Sequence, residues 1–166
     1  MKVPRRLRRR FNKILRAEDF RNRDDHNALV FTRWHIFKNP LFGVYVHRMV
    51  RPDPYRDLHD HPWSFISISL SGGYRERYSP GGRGVVPTGA ARQGTRLNTY
   101  GTKDAQRVHF MSAYDWHLID RIIGKESWTL LLRGPKKRHK GWGFLARYGI
   151  VDSEDYADPL WCTWHR

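Results

Sequence analysis

The chain has 166 residues, a formal charge of +15 from 31 Lys and Arg against 16 Asp and Glu, and a single cysteine. One cysteine excludes an internal disulfide framework, and no apolar run reaches the roughly 20 residues that a membrane-spanning helix needs. The length suits one domain with its own core, and 7 Trp, 8 Tyr and 8 Phe beside 14 Gly and 9 Pro favour an all-β body.

The charge is concentrated at the start, where Lys2, Arg5, Arg6, Arg8, Arg9, Arg10, Lys13 and Arg16 stand without an acid. Leu7, Phe11, Ile14 and Leu15 fall on one stripe of a short helix. Such an arm either docks its stripe on the domain or binds a polyanion (nucleic acid, a membrane surface or an acidic partner) through residues 2–16. No apolar leader accompanies it, so a secretory signal is not expected. Residues 1–27 are therefore read as a basic arm, irregular from 17 onward, and 28–166 as the β-domain. Ala28–Phe37 and Leu41–Val50 read as strands around Lys38-Asn39-Pro40. A Pro-containing loop, Arg51–Asp57, delivers the chain to His59-Asp60-His61-Pro62-Trp63.

From Ser64 to Leu70, Ile66, Ile68 and Leu70 alternate with Ser67 and Ser69, the period of a half-buried strand. Ser71-Gly72-Gly73 reads as a turn, with Tyr74–Tyr78 returning as the hairpin partner. Residues 79–94 are a Gly/Pro-rich loop. Short strands follow at Arg96–Tyr100, Arg107–Met111, His117–Ile123, Ser127–Arg133 and Trp142–Tyr148. So many short strands point to a sandwich or a small barrel. A second basic cluster, Arg133, Lys136, Lys137, Arg138 and Lys140, spans Gly134-Pro135 and reads as a solvated loop. No zinc finger, helix-turn-helix or aromatic RNA-binding signature is present in the sequence.

The chemistry centres on His59 and His61. In a strand, residues i and i+2 share a face, so both imidazoles aim into one space, and imidazole suits Fe, Zn, Ni and Cu better than Mg or Ca. His117, at the entrance of a later strand, is the preferred third ligand, and His109 is its competitor. Asp60 points away from its two neighbours and is expected to orient a nearby loop. Arg56 and Arg121 flank the histidines in sequence and are candidates to clamp a substrate carboxylate or phosphate, since guanidinium pairs with both. Glu76 is a remote carboxylate, a candidate ligand or ligand partner. Trp63, Trp116 and Trp128 read as core, and Cys162 as a bystander.

The run Leu58–Gly73, His117 and Ser127–Leu132 resembles the cupin superfamily. More narrowly it is similar to small phage and bacterial cupin-like proteins with a Leu-His-Asp-His-Pro-Trp core and a late Trp-Gly-Phe, matched here by Trp142-Gly143-Phe144. The resemblance covers roughly residues 30 to 148. It implies a double-stranded β-helix, the jelly-roll barrel, around one divalent metal, and a place in the cytoplasm of a bacterial or phage-infected cell. Two departures stand out. Phe65 and Ile66 occupy the positions where the family's usual glutamate ligand falls, and Ala113-Tyr114-Asp115-Trp116 replaces the usual Pro-x-Gly before the later histidine.

What is left is a three-histidine set: His59, His61 and His117. Three neutral ligands leave a divalent ion its full charge and open positions, the catalytic arrangement. The expectation is a metal-dependent cupin, of non-haem iron oxygenase or dioxygenase type, acting on a small anionic metabolite. Fe(II) is the expected metal, with Zn(II), Ni(II) and Mn(II) as alternatives. Thiol dioxygenases are similar three-histidine cupins, but no match to their other catalytic groups is evident. The competing reading is a non-enzymatic jelly-roll module of phage type, attached through its arm to nucleic acid, membrane or a larger assembly. A metal-free sugar-nucleotide epimerase ranks last for want of a His-Asp dyad. Cupins commonly dimerise, so a homodimer is also considered.

Overall fold

The computed structural model describes residues 15–22, 25–55, 57–81, 96–101, 106–137, 143–146 and 149–152. The arm before Leu15, Arg56, the greater part of the Gly/Pro-rich loop, Arg138, Lys140, Trp142 and Cys162 lie outside the described residues. The described chain forms ten strands and no helix: β1 Ala17–Asn22, β2 Ala28–Lys38, β3 Gly43–Met49, β4 Leu58–His59, β5 Trp63–Ser79, β6 Arg96–Gly101, β7 Val108–Met111, β8 Trp116–Lys136, β9 Gly143–Ala146 and β10 Gly149–Asp152. They make one curled antiparallel sheet in the order β1-β2-β3-β8-β4-β9-β10, with β5 pairing β6, β7 and β8. The architecture is a cupin-like jelly-roll barrel, as the sequence reading expected.

Two long strands build the barrel. β5 and β8 run antiparallel over almost their whole lengths, from Trp63↔Lys136 to Ser79↔Trp116. The later half of β8 also pairs β3, from Gly43↔Arg133 to Met49↔Ser127, while its start pairs β4 through His59↔His117. Each long strand therefore belongs to both walls of the barrel.

Here the structure differs from the sequence reading. Ser71-Gly72-Gly73 is no hairpin turn, and residues 117–123 and 127–133 are not separate strands. Gly72 (φ 70°) and Gly124 (φ 86°) take left-handed backbone, and the β5–β8 register shifts around Ser71 and Gly73. Glycine tolerates this geometry, so both strands turn a corner without ending. A Cβ on Gly72 would lie 2.2 Å from the Glu126 carbonyl oxygen. Residues 17–22, expected to be irregular, pair with β2 from Ala17↔Trp34 to Asn22↔Ala28.

Barrel closure also decides which face of each strand turns inward. On β5, Phe65 and Ser67 line the central cavity while Ile66 and Leu70 are each 38% exposed. On β2 and β3, Arg33, Tyr45 and His47 face the cavity. Trp34, Val46 and Trp128 form a buried cluster with Leu130 and Leu15 against it. Leu15, the one residue of the predicted apolar stripe that is described, thus docks on the domain. The Trp34 and Trp128 rings stack at 5.3 Å and 7°, an offset geometry aromatic pairs favour. A second cluster of Met49, Tyr74 and Tyr100, with Phe31, Ile119 and Ile122 beside it, fills one end of the barrel interior.

Candidate metal centre

The central cavity has a volume of about 490 Å³, within the range of small-molecule sites. The three predicted histidines meet on its wall. His59 sits on β4 directly opposite His117 on β8, and His61 follows two residues later in the irregular stretch before β5. One ligand atom from each ring lies within 4.8 Å of the others. His61 Nε2 is 2.8 Å from His117 Nε2. A metal at about 2.0–2.1 Å from each nitrogen sets neighbouring octahedral ligands roughly 3 Å apart, which the His61–His117 spacing matches.

Glu76 explains why His117 presents that nitrogen. The corner at Gly72 shifts the inward phase of β5 from Phe65 and Ser67 to Tyr74 and Glu76, all four of which line the cavity. The Glu76 carboxylate is 1% exposed, and its Oε1 lies 2.5 Å from His117 Nδ1. With Nδ1–H donating to the carboxylate, the Nε2 lone pair faces His61. A carboxylate behind a histidine in this way fixes tautomer and ring orientation and raises ligand basicity. The signal in the sequence was an acid on the strand after the glycine corner, but the phase that turns it inward depends on the corner itself.

The electrostatics divide the trio. Burial, reinforced by the field of His117, holds His59 and His61 well below the usual histidine range, so both are neutral donors. Burial pulls His117 down as well, but the charge and hydrogen bond of Glu76 outweigh it and leave its pKa raised. Aromatic rings lock the geometry. Tyr55 meets His59 edge-on at 5.6 Å, and Phe65 meets His61 at 5.3 Å and 81°. Phe65 thus supports a histidine where the cupin pattern would place a carboxylate ligand.

His109, the competitor, is not part of the trio. It lies on the far side of Glu76, with Nδ1 3.5 Å from Oε2, and stacks on Tyr100 at 4.2 Å and 13°. Asp60, expected to orient a loop, holds a strand instead. Fully buried, it accepts a 2.8 Å bond from Gly143 N and donates its own N–H to Gly143 O, tying β9 beside the site. Asp53 was not anticipated. It lines the cavity, accepts a 2.8 Å bond from Ile119 N and has its carboxyl pushed up to about 6 by burial.

The sequence-predicted arginines fare differently. Arg56 lies outside the described residues. Arg121 is exposed and does not line the cavity. β8 carries an extra residue at Asp120, where the register passes from Arg75↔Arg121 to Glu76↔Ile119. That bulge breaks the alternation that would return Arg121 to the face of His117. Arg133, read as part of a solvated loop, is 7% exposed and faces the cavity.

No family model and no curated protein matches the chain. Solved structures do match in fold. The Fe(II) form of HppE superposes with a TM-score of 0.53 at 9% identity, covering 80% of this chain and 59% of that one. The DMSP lyase DddQ from Ruegeria pomeroyi gives 0.52 at 13% identity, over 86% of this chain and 68% of that one. CapF, with a bound tropolone inhibitor, gives 0.50 at 14% identity over 73% of this chain and 30% of that one. The chain thus spans 59% of the HppE chain's length. These likenesses are likenesses of fold, shared with cupin-family proteins. Fold and site together define an all-β cupin-type barrel with a three-histidine group on the wall of its cavity.

Proposed function

We propose that this protein is a metal-dependent cupin enzyme that holds a divalent transition metal on His59, His61 and His117 and acts on a small anionic substrate. The observation that carries the reading is the Glu76–His117 pair, 2.5 Å apart, which aims a nitrogen lone pair at a second imidazole 2.8 Å away. A packed structural histidine has no need of both features. Fe(II) is the proposed metal, by analogy with the iron-bearing neighbour, and oxygenation is the proposed reaction type because three neutral imidazoles leave such an ion open positions. When bound, the ion supplies Lewis-acid or redox chemistry at its open positions. The chain's own residues do the rest. Glu76 fixes the His117 tautomer, Tyr55 and Phe65 hold the rings, and Asp53 offers a carboxyl able to exchange a proton near neutral pH.

The test is elemental analysis of the full chain purified without an affinity tag. About one transition metal per chain is expected, lost in His61→Ala. A folded protein that carries no such metal and takes up none of Fe(II), Co(II) or Zn(II) overturns the reading.

A second reading rests on the eight Lys and Arg in residues 1–16, which small-molecule chemistry does not require. It makes the protein a binding module for a polyanion. Deleting residues 2–14 leaves metal uptake intact in the first reading and abolishes salt-sensitive polyanion binding in the second.

A further inference from the structure

The cavity has a second chemical pole, on β2 and β3 rather than on the strands that carry His59 and His117. Arg33 on β2 points into it beside His47 on β3, and the two residues are register partners. The guanidinium is held in an aromatic cage. Its Cζ lies 4.9 Å from the Phe20 ring centre, 5.6 Å from Phe31 and 5.4 Å from Tyr45. Its Nε donates to His47 Nε2 at 3.0 Å. His47 accepts because burial and the adjacent Arg33 hold it well below the usual histidine range.

The two Nη groups have no hydrogen-bond partner among the described residues. Glu18, the acid whose charge acts on Arg33, makes its direct contacts with Arg16 at 3.3 Å and His35 at 3.0 Å instead. Arg133 makes the contrast. Its Nε donates to Tyr45 Oη, Nη1 to the Gly134 carbonyl and Nη2 to the Asn39 carbonyl, so its donors are committed to the scaffold. Arg33 alone of the two keeps its fork for something else. A half-buried cation whose two Nη donors are unspent is stabilised when an anion joins it.

We propose that Arg33 is the anchor for an oxyanion of the substrate, a carboxylate or phosphate group, which its two free Nη groups bind side by side while the opposite end of the molecule reaches the histidine trio. The inference rests on the metal-site reading for the second half of that statement, but the anion subsite stands on its own residues. It selects substrates that carry an acidic group besides the metal-binding group. A guanidinium suits this role because its planar fork matches both oxyanions and stacks on aromatic rings, which a lysine ammonium does not reproduce.

The experiment titrates the full-length protein with inorganic phosphate and, separately, with malonate, at fixed physiological salt and by calorimetry. It compares wild type, Arg33→Gln, Arg33→Lys and the surface control Arg121→Gln. Binding should weaken roughly tenfold or more in Arg33→Gln, the factor a charge-assisted hydrogen bond carries. Arg33→Lys keeps the charge but loses the fork, so it should fall between Arg33→Gln and wild type, and it keeps the test decisive if Arg33→Gln unfolds. Arg121→Gln should bind like wild type, which separates the subsite from the general field of a chain at +15. Whichever anion shows the larger Arg33-dependent loss identifies the oxyanion class. Equal binding in wild type and both Arg33 variants overturns the proposal, as does an equal loss in Arg121→Gln. His61→Ala protein tells the two readings apart. Arg33-dependent binding that persists there, in protein that takes up no metal, keeps the subsite even if the metal proposal fails. Binding that disappears with the trio and ignores Arg33 overturns the subsite alone.

Discussion

Replacing Glu76 with glutamine removes one negative charge and almost no volume from the wall behind His117. The amide oxygen can still accept from His117 Nδ1, so ring orientation survives while the electrostatic support is lost. The contact is short, 2.5 Å, and both groups are buried, His117 at 6% and Glu76 at 1% exposure. Solvent therefore does little to replace the missing charge. Partners placed behind a metal-bound histidine are worth about 10- to 100-fold in metal affinity, or about 1.4 to 2.8 kcal/mol. Glu76→Gln belongs near the lower figure, because the hydrogen bond is kept, and Glu76→Ala near the upper.

The assay is competition between the protein and a chromophoric chelator for Co(II) or Zn(II), run at one fixed alkaline pH for both proteins so that proton competition for the histidines is reduced. In metal-free protein the same pair leaves a signature in stability. His117 has its native pKa raised above 6.5, so its contribution is fully present below the unfolded value and is lost as pH climbs through the native one. Glu76→Gln should flatten that fall. A folded Glu76→Gln protein that binds metal within about twofold of wild type would refute the reasoning.

Asp53 has the opposite ionic character and a pH dependence of its own. Its native pKa of about 6 against an ordinary 3.8 means that the folded protein holds the proton more tightly, so stability falls as pH rises between those values. At about 1.4 kcal/mol per pH unit the full effect is about 3 kcal/mol. Asp53→Asn should remove most of that slope in metal-free denaturant titrations between pH 4 and 7, and an unchanged slope would assign it to other groups. The two corner glycines should respond unequally to alanine. Both need left-handed backbone, worth about 1–2 kcal/mol, but only at Gly72 would the Cβ meet backbone, while nothing lies within 4 Å at Gly124. Thermal unfolding should show Gly72→Ala much the more damaged, and equal losses would contradict the corner geometry. Trp34→Ala removes a fully buried ring and its stacking partner's contact, so a loss of about 3–5 kcal/mol is expected by chemical denaturation. A loss under about 1 kcal/mol would mean that the cluster contributes little to the fold.

Much of this protein is legible in its sequence. Alternating residues and turn residues are local properties, so the strands at 28–37, 96–100 and 107–111 emerge within a residue or two of β2, β6 and β7. His59, His61 and His117 were recognisable for a similar reason: ring type and spacing restrict what such residues do, and the structure brings the three together.

What the tertiary structure decided was which way things face. Alternation separates the isoleucines of β5 from its serines but carries no sign, and closure of the barrel turned Ser67 inward and left Ile66 exposed. Local turn chemistry at Gly72 looks the same whether the chain reverses or bends, and only the pairing of β5 with β8 on both sides of it makes it a corner. That corner resets the inward phase, which is why Glu76 reaches His117 across 41 residues. The bulge at Asp120 sends Arg121 out, and the placement of Arg33 among rings from three strands was invisible for the same reason. Contacts between distant segments are set by register, and register is a property of the closed sheet rather than of any stretch of chain.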